Sequence, residues 1–330
     1  MKFSILKISV IAVFTMLLVS ETAWTDEIAK RNIKVFGLMK THWEYNQAVS
    51  GDNENVFKLY NCRIGVKGSL NDFTKFKALF DFARTVNTDK FSGDMLLDGY
   101  IELSPNPWLK VKIGQFKTNF STANLRSGSK LRFIDNPIIK TAPPTRDLGM
   151  MAESNYDKFS MSVGFYNGNG MNEQETNTNK NMSLRGVWKP INSANFSANY
   201  YTGKSDDVGS SASNLTRYNL GVGFNQNNFS IEGEYSSYDN SMQIASGYFA
   251  DAQYNLKMNG FISSIVPGFR YGWYDTNTDT DNNAKTRYTA GLNVHFAKFT
   301  GAMIRLNYQI NDSESDDLDD VLKTEFQLAF

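Results

Sequence analysis

From residue 33 to the end of the chain, apolar and polar side chains alternate in segments of about ten residues, a period that extended backbone with two unlike faces satisfies and a helix does not. Tyr60, Cys62, Ile64, Val66 and Leu70 share one face of such a segment, and Asn61, Arg63, Gly65 and Lys67 take the other. The next sets Phe76, Ala78, Phe80 and Phe82 against Lys75, Lys77 and Asp81. The pattern returns in Leu109, Val111 and Ile113 against Lys110 and Lys112, and in Phe159, Met161, Val163 and Phe165 against Ser160, Ser162 and Gly164. It continues in Tyr218, Leu220 and Val222 against Arg217 and Asn219, in Tyr288, Leu292 and Val294 against Arg287 and Asn293, and in Ile304, Leu306 and Tyr308 against Arg305 and Asn307.

About sixteen such segments can be counted, an even number inside the range of single-chain transmembrane barrels. No apolar run in the body is long enough for a membrane helix, and the mean hydropathy of -0.41 agrees, so a helical bundle is excluded. The faces assign themselves by energy. An Arg or Lys against lipid at mid-membrane costs roughly 2–4 kcal/mol, and a one-residue slip would move every charge of a strand outward.

Connections separate this architecture from a secreted β-sandwich, which also alternates. Short turns at 71–72, 104–107, 155–157 and 226–228 are interspersed with longer polar loops at 46–56, 85–93, 168–180, 205–214, 275–284 and 312–320, the asymmetry of outer-membrane barrels. The final strand places Leu322, Thr324, Phe326, Leu328 and the terminal Phe330 on one face, resembling the closing signature that the outer-membrane assembly machinery reads. Trp43, Tyr45, Trp108, Tyr156, Trp188, Tyr235 and Trp273 fall near segment ends, where interfacial girdles lie. The expected fold is all-β: an antiparallel transmembrane β-barrel.

At the start, Lys2 and Lys7 precede an apolar run at residues 8–19, too short to span a bilayer and suited to a secretory signal. Cleavage is expected after Ser20 or after Thr25, leaving residues 26–330 as a single barrel domain. Export ordinarily favours disulfides, yet Cys62 is the one cysteine, so stability must come from a closed hydrogen-bonded sheet. A formal net charge of zero gives no support to nucleic-acid binding. His42 and His295 stand beside no nucleophile motif, and no Cys/His set has zinc spacing. Neither an enzyme, a metal nor a cofactor is expected.

Residues 98–149 carry four motifs: Asp98-Gly99-Tyr100-Ile101, Gly114-Gln115-Phe116-Lys117, Leu131-Arg132-Phe133-Ile134 and Arg146-Asp147-Leu148-Gly149. This stretch resembles the phosphate-selective porin O and P family, although Thr118 and Asn119 stand where that family usually has an aliphatic residue and Pro. The resemblance implies an outer-membrane channel, a homotrimer with one pore per subunit, and rows of Arg and Lys that meet anions.

The longest loop, 119–145, follows the fifth strand and matches the third long loop that folds inward in porins of this size; it carries Arg126, Lys130, Arg132 and Lys140, with Asp135 as its one acid. On the inward faces fall Arg63, Lys67, Lys75, Lys77, Lys110, Lys112, Arg185, Arg217, Arg270, Arg287 and Arg305, against the acids Asp81, Asp98, Glu102, Glu232, Glu234, Asp251 and Glu325. Wall charges within a Debye length of about 8 Å act on a solute almost unscreened, and guanidinium forks match phosphate oxygens. The expectation is passive diffusion of small anions, with phosphate selectivity as the sharper form. The alternatives are a general diffusion porin, a structural or adhesive barrel with a closed lumen, and, for each charge alone, an ion pair bracing the wall.

Two acidic loops, with Asp275, Asp279 and Asp281 in one and Asp312, Glu314, Asp316, Asp317, Asp319 and Asp320 in the other, read as solvated. Their spacing fits no EF-hand, and the sharper alternative is divalent-cation bridging to lipopolysaccharide.

Overall fold

The computed structural model describes residues 32–49, 52–85, 95–139, 145–175, 178–204, 214–240, 243–299, 301–315 and 318–330. The expected signal segment, Lys140, Asp316 and Asp317 lie outside them.

Alternation at period two becomes a continuous antiparallel sheet. Its strands are β1 (Ile33–Gln47), β2 (Glu54–Ser69), β3 (Thr74–Asp81), β4 (Leu96–Asn106), β5 (Leu109–Phe116) and β6 (Asp147–Tyr156). They continue as β7 (Phe159–Tyr166), β8 (Asn181–Ile191), β9 (Ala194–Lys204), β10 (Asn214–Gln226), β11 (Phe229–Asp239) and β12 (Ile244–Tyr254). The last five are β13 (Leu256–Lys257), β14 (Ile262–Asp275), β15 (Ala284–Phe296), β16 (Ala302–Ser313) and β17 (Asp320–Ala329). Both β12 and the short β13 pair with β14 and form one stave interrupted at Asn255, so the barrel has sixteen staves. It closes where β1 pairs with β17, Leu38 opposite Ala329 and Gln47 opposite Asp320.

Burial is inverted relative to a water-soluble fold. Arg305, Lys40, His42 and Glu325 are almost wholly inaccessible, while Leu220 is 59 % and Phe326 50 % exposed. Apolar side chains point outward to lipid and polar ones inward, as a bilayer solvent requires.

Connections differ at the two ends. The β6–β7 and β10–β11 turns place Asp157 (φ 47) and Asn227 (φ 55) in the left-handed region, which tight hairpins demand and which Asp and Asn tolerate. Near these turns the outer surface is rich in Phe and Trp: on neighbouring strands Phe159 stacks on Trp188 at 6.1 Å, and Phe196 lies tilted against Trp188 at 5.6 Å. Toward the long-loop end it is rich in Tyr: Tyr248 lies 5.5 Å from Trp273, and Tyr271 lies 5.2 Å from Tyr288. These two belts fit the headgroup levels of a membrane.

One face assignment is corrected. A β-bulge between β1 and β2, at Lys40/Thr41, leaves Tyr60 as the extra residue. The bulge breaks the alternation for one residue, so Tyr60 does not join Cys62 and Ile64 on the outer face. Its ring stacks on the buried His42 at 4.3 Å between centroids.

Candidate functional site

The segment after β5 begins by folding on itself. Ser121 (φ 63) caps a single helical turn, Thr122–Leu125, and the Lys117 ammonium donates to the carbonyls of Asn124 and Arg126, both at 2.7 Å. The turn is held by Glu234 of β11, which accepts from the Ser121 hydroxyl at 2.6 Å and from the Ala123 N–H at 2.8 Å. Arg126 pairs with Glu232 on the same strand.

Further along, Arg132 donates to Asp251 of β12 at 2.6 Å and to the Ser230 hydroxyl of β11 at 2.9 Å. Its own carbonyl accepts from Gln253 and Asn293. The Leu131 carbonyl accepts from Arg305 of β16 at 2.9 Å, and the Ile134 N–H donates to Asn307 at 2.7 Å. Asp135 accepts from Gln309 at 2.7 Å and from Lys323 of β17 at 2.8 Å. Phe133 and Ile134 are buried, with the Arg270 guanidinium 4.3 Å over the Phe133 ring. The segment rooted on β5 and β6 is thus bonded to inward side chains of β11, β12 and β15–β17.

The expected anion-binding residues fall into three sets. Four are taken up by carboxylates that hold this segment or the wall behind it: Arg126 by Glu232, Arg132 and Arg270 by the shared Asp251, and Arg305 by Glu325. Arg287 donates to Asn311 at 2.6 Å, and Arg217 lies 4.2 Å over the Tyr238 ring. Arg185, on β8, donates to Asn199 and Thr122.

The second set faces open space. A cavity of about 360 Å³ between the segment and the β1–β6 wall is lined by Arg63, Lys77 and Lys112, together with Lys117 and Arg146. Asp98 and Glu153 are its carboxylates. Lys77 meets Asp98 at 2.6 Å, Arg146 meets the same carboxylate at 2.7 Å, Arg63 meets Asp81 at 2.8 Å, and Lys112 is 3.7 Å from Glu102. Burial, reinforced by the nearby Arg146, pushes Lys117 down to about 7.

The remaining four, Lys67, Lys75, Lys110 and Lys130, make no ion pair among the described residues. Lys67 and Lys75 join Lys34 and Lys77 around a second cavity of about 270 Å³ toward the short-turn end. Lys77 and Tyr100 line both cavities, so one basic wall runs through them.

Lys117 and Arg146 were not among the expected anion ligands, although each belongs to a motif quoted above. The signal was their position: they are the two cations at the roots of the longest loop. Beside the cavity, where β5–β7 approach β9 and β10, the interior is filled. Phe116, Phe120, Met151, Tyr166, Tyr201 and Leu215 form a buried apolar cluster.

The acids of the last two long loops cap strand ends. Glu314 accepts from the Ala284 N–H, Asp320 from the Asn311 N–H and Asp319 from the Val49 N–H. Among the described residues no group of three or more His, Cys, Asp or Glu is arranged to hold a metal ion. The His42 Nε2–H donates to the Glu325 carboxylate at 2.7 Å.

Residues 39–242 match the family model described as phosphate-selective porin O and P. No curated relative matches the chain in sequence. Among solved structures, the anion-selective porin from Comamonas acidovorans is 14 % identical over 91 % of this chain and all of its own, with a TM-score of 0.69. OprB from Pseudomonas putida is 14 % identical over 94 % of this chain and 96 % of its own, at 0.65. The trimer form of in-vitro folded OmpT, an outer membrane protein of Vibrio cholerae, is 14 % identical over 91 % and 99 %, at 0.60. At such identities the likeness is one of fold.

Proposed function

Since the chain belongs to the phosphate-selective porin O and P family, and is accordingly an outer-membrane channel rather than an enzyme, we propose that it passes small anions by passive diffusion. The observation that carries this is the lining of the cavity beside the loop: five cations against two carboxylates. In a gap of this size every solute travels within a few ångströms of those charges, where solvent screens them poorly.

The loop narrows the pore from the far wall. Its own guanidiniums serve as anchors, because Arg126 and Arg132 are engaged by Glu232 and Asp251. The conduction path follows the opposite wall, where Arg63, Lys77, Lys112 and Arg146 exchange partners between wall carboxylates and a passing anion, and Lys117, held by the Asn124 and Arg126 carbonyls, adds its charge. Phosphate falls within the same class, since a guanidinium fork and a movable ammonium both replace part of its hydration shell. The proposed assembly is a homotrimer in the lipopolysaccharide-bearing membrane, each subunit with its own path.

A second reading, a general diffusion porin, is favoured by the pairing of Arg63, Lys77 and Lys112 with Asp81, Asp98 and Glu102. The zero-current potential of the refolded protein in a planar bilayer across a potassium chloride gradient separates the two. The sign of chloride permeation is expected, with phosphate lowering the chloride current. A potential near zero would establish the general porin, and absence of conductance would establish a closed barrel.

A further inference from the structure

The basic cavity is not polar throughout. Phe36, Leu79, Tyr100, Phe116 and Met151 face the same space as its cations. For a compact inorganic anion most of this surface is wasted: apart from the Tyr100 hydroxyl it offers no donor, and it displaces water that would otherwise hydrate the ion.

The rings are placed with care. Phe36 on β1 lies over Gly65 on β2, and a Cβ at Gly65 would stand 2.7 Å from the Phe36 Cζ, so glycine there lets the ring lie along the wall. Lys67 and Lys77 sit 5.0 and 5.5 Å from that ring's centroid. Lys112 sits 4.7 Å from the Tyr100 centroid and 5.5 Å from that of Phe116. Charge and ring face therefore alternate along the wall, and Lys77 and Tyr100 carry the alternation into the second cavity.

We propose that this path prefers anions with an apolar or aromatic body, aromatic monocarboxylates above all, over compact anions of equal charge. The inference rests on reading the cavity as an anion path. Such a solute presents its ring to Phe36 and Tyr100 while its carboxylate takes an ammonium that already rests on a ring face. Each contact replaces one the wall makes with itself, which keeps binding weak enough for release. A volume of about 360 Å³ falls in the range of about 300–1,000 Å³ typical of small-molecule sites.

The test titrates benzoate, acetate and phosphate against the chloride current of the full-length refolded protein at constant ionic strength and neutral pH. Benzoate is expected to halve the current at a concentration at least tenfold below acetate and below phosphate. In Phe36→Ser with Tyr100→Ser the benzoate-to-acetate ratio should collapse to less than threefold. Tyr100→Leu, which keeps apolar volume and removes the ring, should reduce the ratio in part and covers the case in which the double variant does not fold. Equal block by benzoate and acetate, or stronger block by phosphate, in a channel with a chloride-signed potential overturns this inference and spares the anion path. A cation-signed potential overturns both.

Discussion

The ring of Phe330 occupies the space that a side chain at Gly37 would need: a Cβ there would run into the ring's Cζ and Cε1. The two residues also bond through their backbones, Gly37 N–H to Phe330 O at 2.8 Å and Phe330 N–H to Gly37 O at 3.2 Å. They stand at the seam where the last stave meets the first. Gly37→Val should therefore strain closure by about 1–3 kcal/mol, the range of overpacking. The expected result is a lower urea midpoint and a smaller fraction of heat-modifiable barrel on unheated gels; wild-type values in both would show that the seam repacks freely.

Asp251 takes two guanidiniums, Arg132 at 2.6 Å and Arg270 at 2.9 Å, and its side chain is inaccessible. Removing a buried carboxylate leaves its partners uncompensated and costs about 3–5 kcal/mol. Asp251→Ala should thus destabilise the barrel and loosen the loop, seen as noisier single-channel currents with a higher mean conductance. A quiet trace at wild-type conductance would mean that Asp251 is not an anchor.

Charge on the open wall should act differently from charge on the anchors. Lys77→Gln with Lys112→Gln is expected to reduce the chloride-signed zero-current potential by roughly half, with little loss of stability, because Arg146 stays on Asp98. Arg126→Gln with Arg305→Gln should do the reverse, lowering the urea midpoint while leaving the sign of the potential intact. The two pairs compared in one bilayer series decide whether the division of roles is real.

Lys117 gives the path a pH dependence. It faces Arg146, Arg63 and Lys77 as cations and Asp98 as an acid, with Glu153 on the same cavity, and burial lowers it to about 7. Below that value it is charged, so on the proposed anion path the preference is expected to be fully present in mild acid and to decline as pH rises through about 7. Lys117→Gln should flatten this step, and a step of the same size in that variant would assign the titration to another group.

The barrel was legible because lipid enforces it: a charged residue on a strand marks the inward face at once, as with Arg305 between Ile304 and Leu306. Tyr60 was misplaced because a bulge depends on how two strands meet, which period two along one strand does not record. The lining was legible in kind and not in partnership. Nothing in the spacing of Arg126 reveals that Glu232, more than a hundred positions away, neutralises it. Counting inward cations therefore overstated the charge offered to a solute, while Lys117 and Arg146, at the feet of a loop, were passed over.

The loop's attachment to β11, β12 and β15–β17 has a consequence for redesign. The carboxylates that take the loop's two guanidiniums stand on β11 and β12, whereas Phe36, Tyr100 and Lys112 stand on β1, β4 and β5, so changes at those three positions leave the Glu232 and Asp251 anchors in place. A designer seeking a new permeant on the proposed path would therefore begin with Phe36, Tyr100 and Lys112 and leave Asp251 alone.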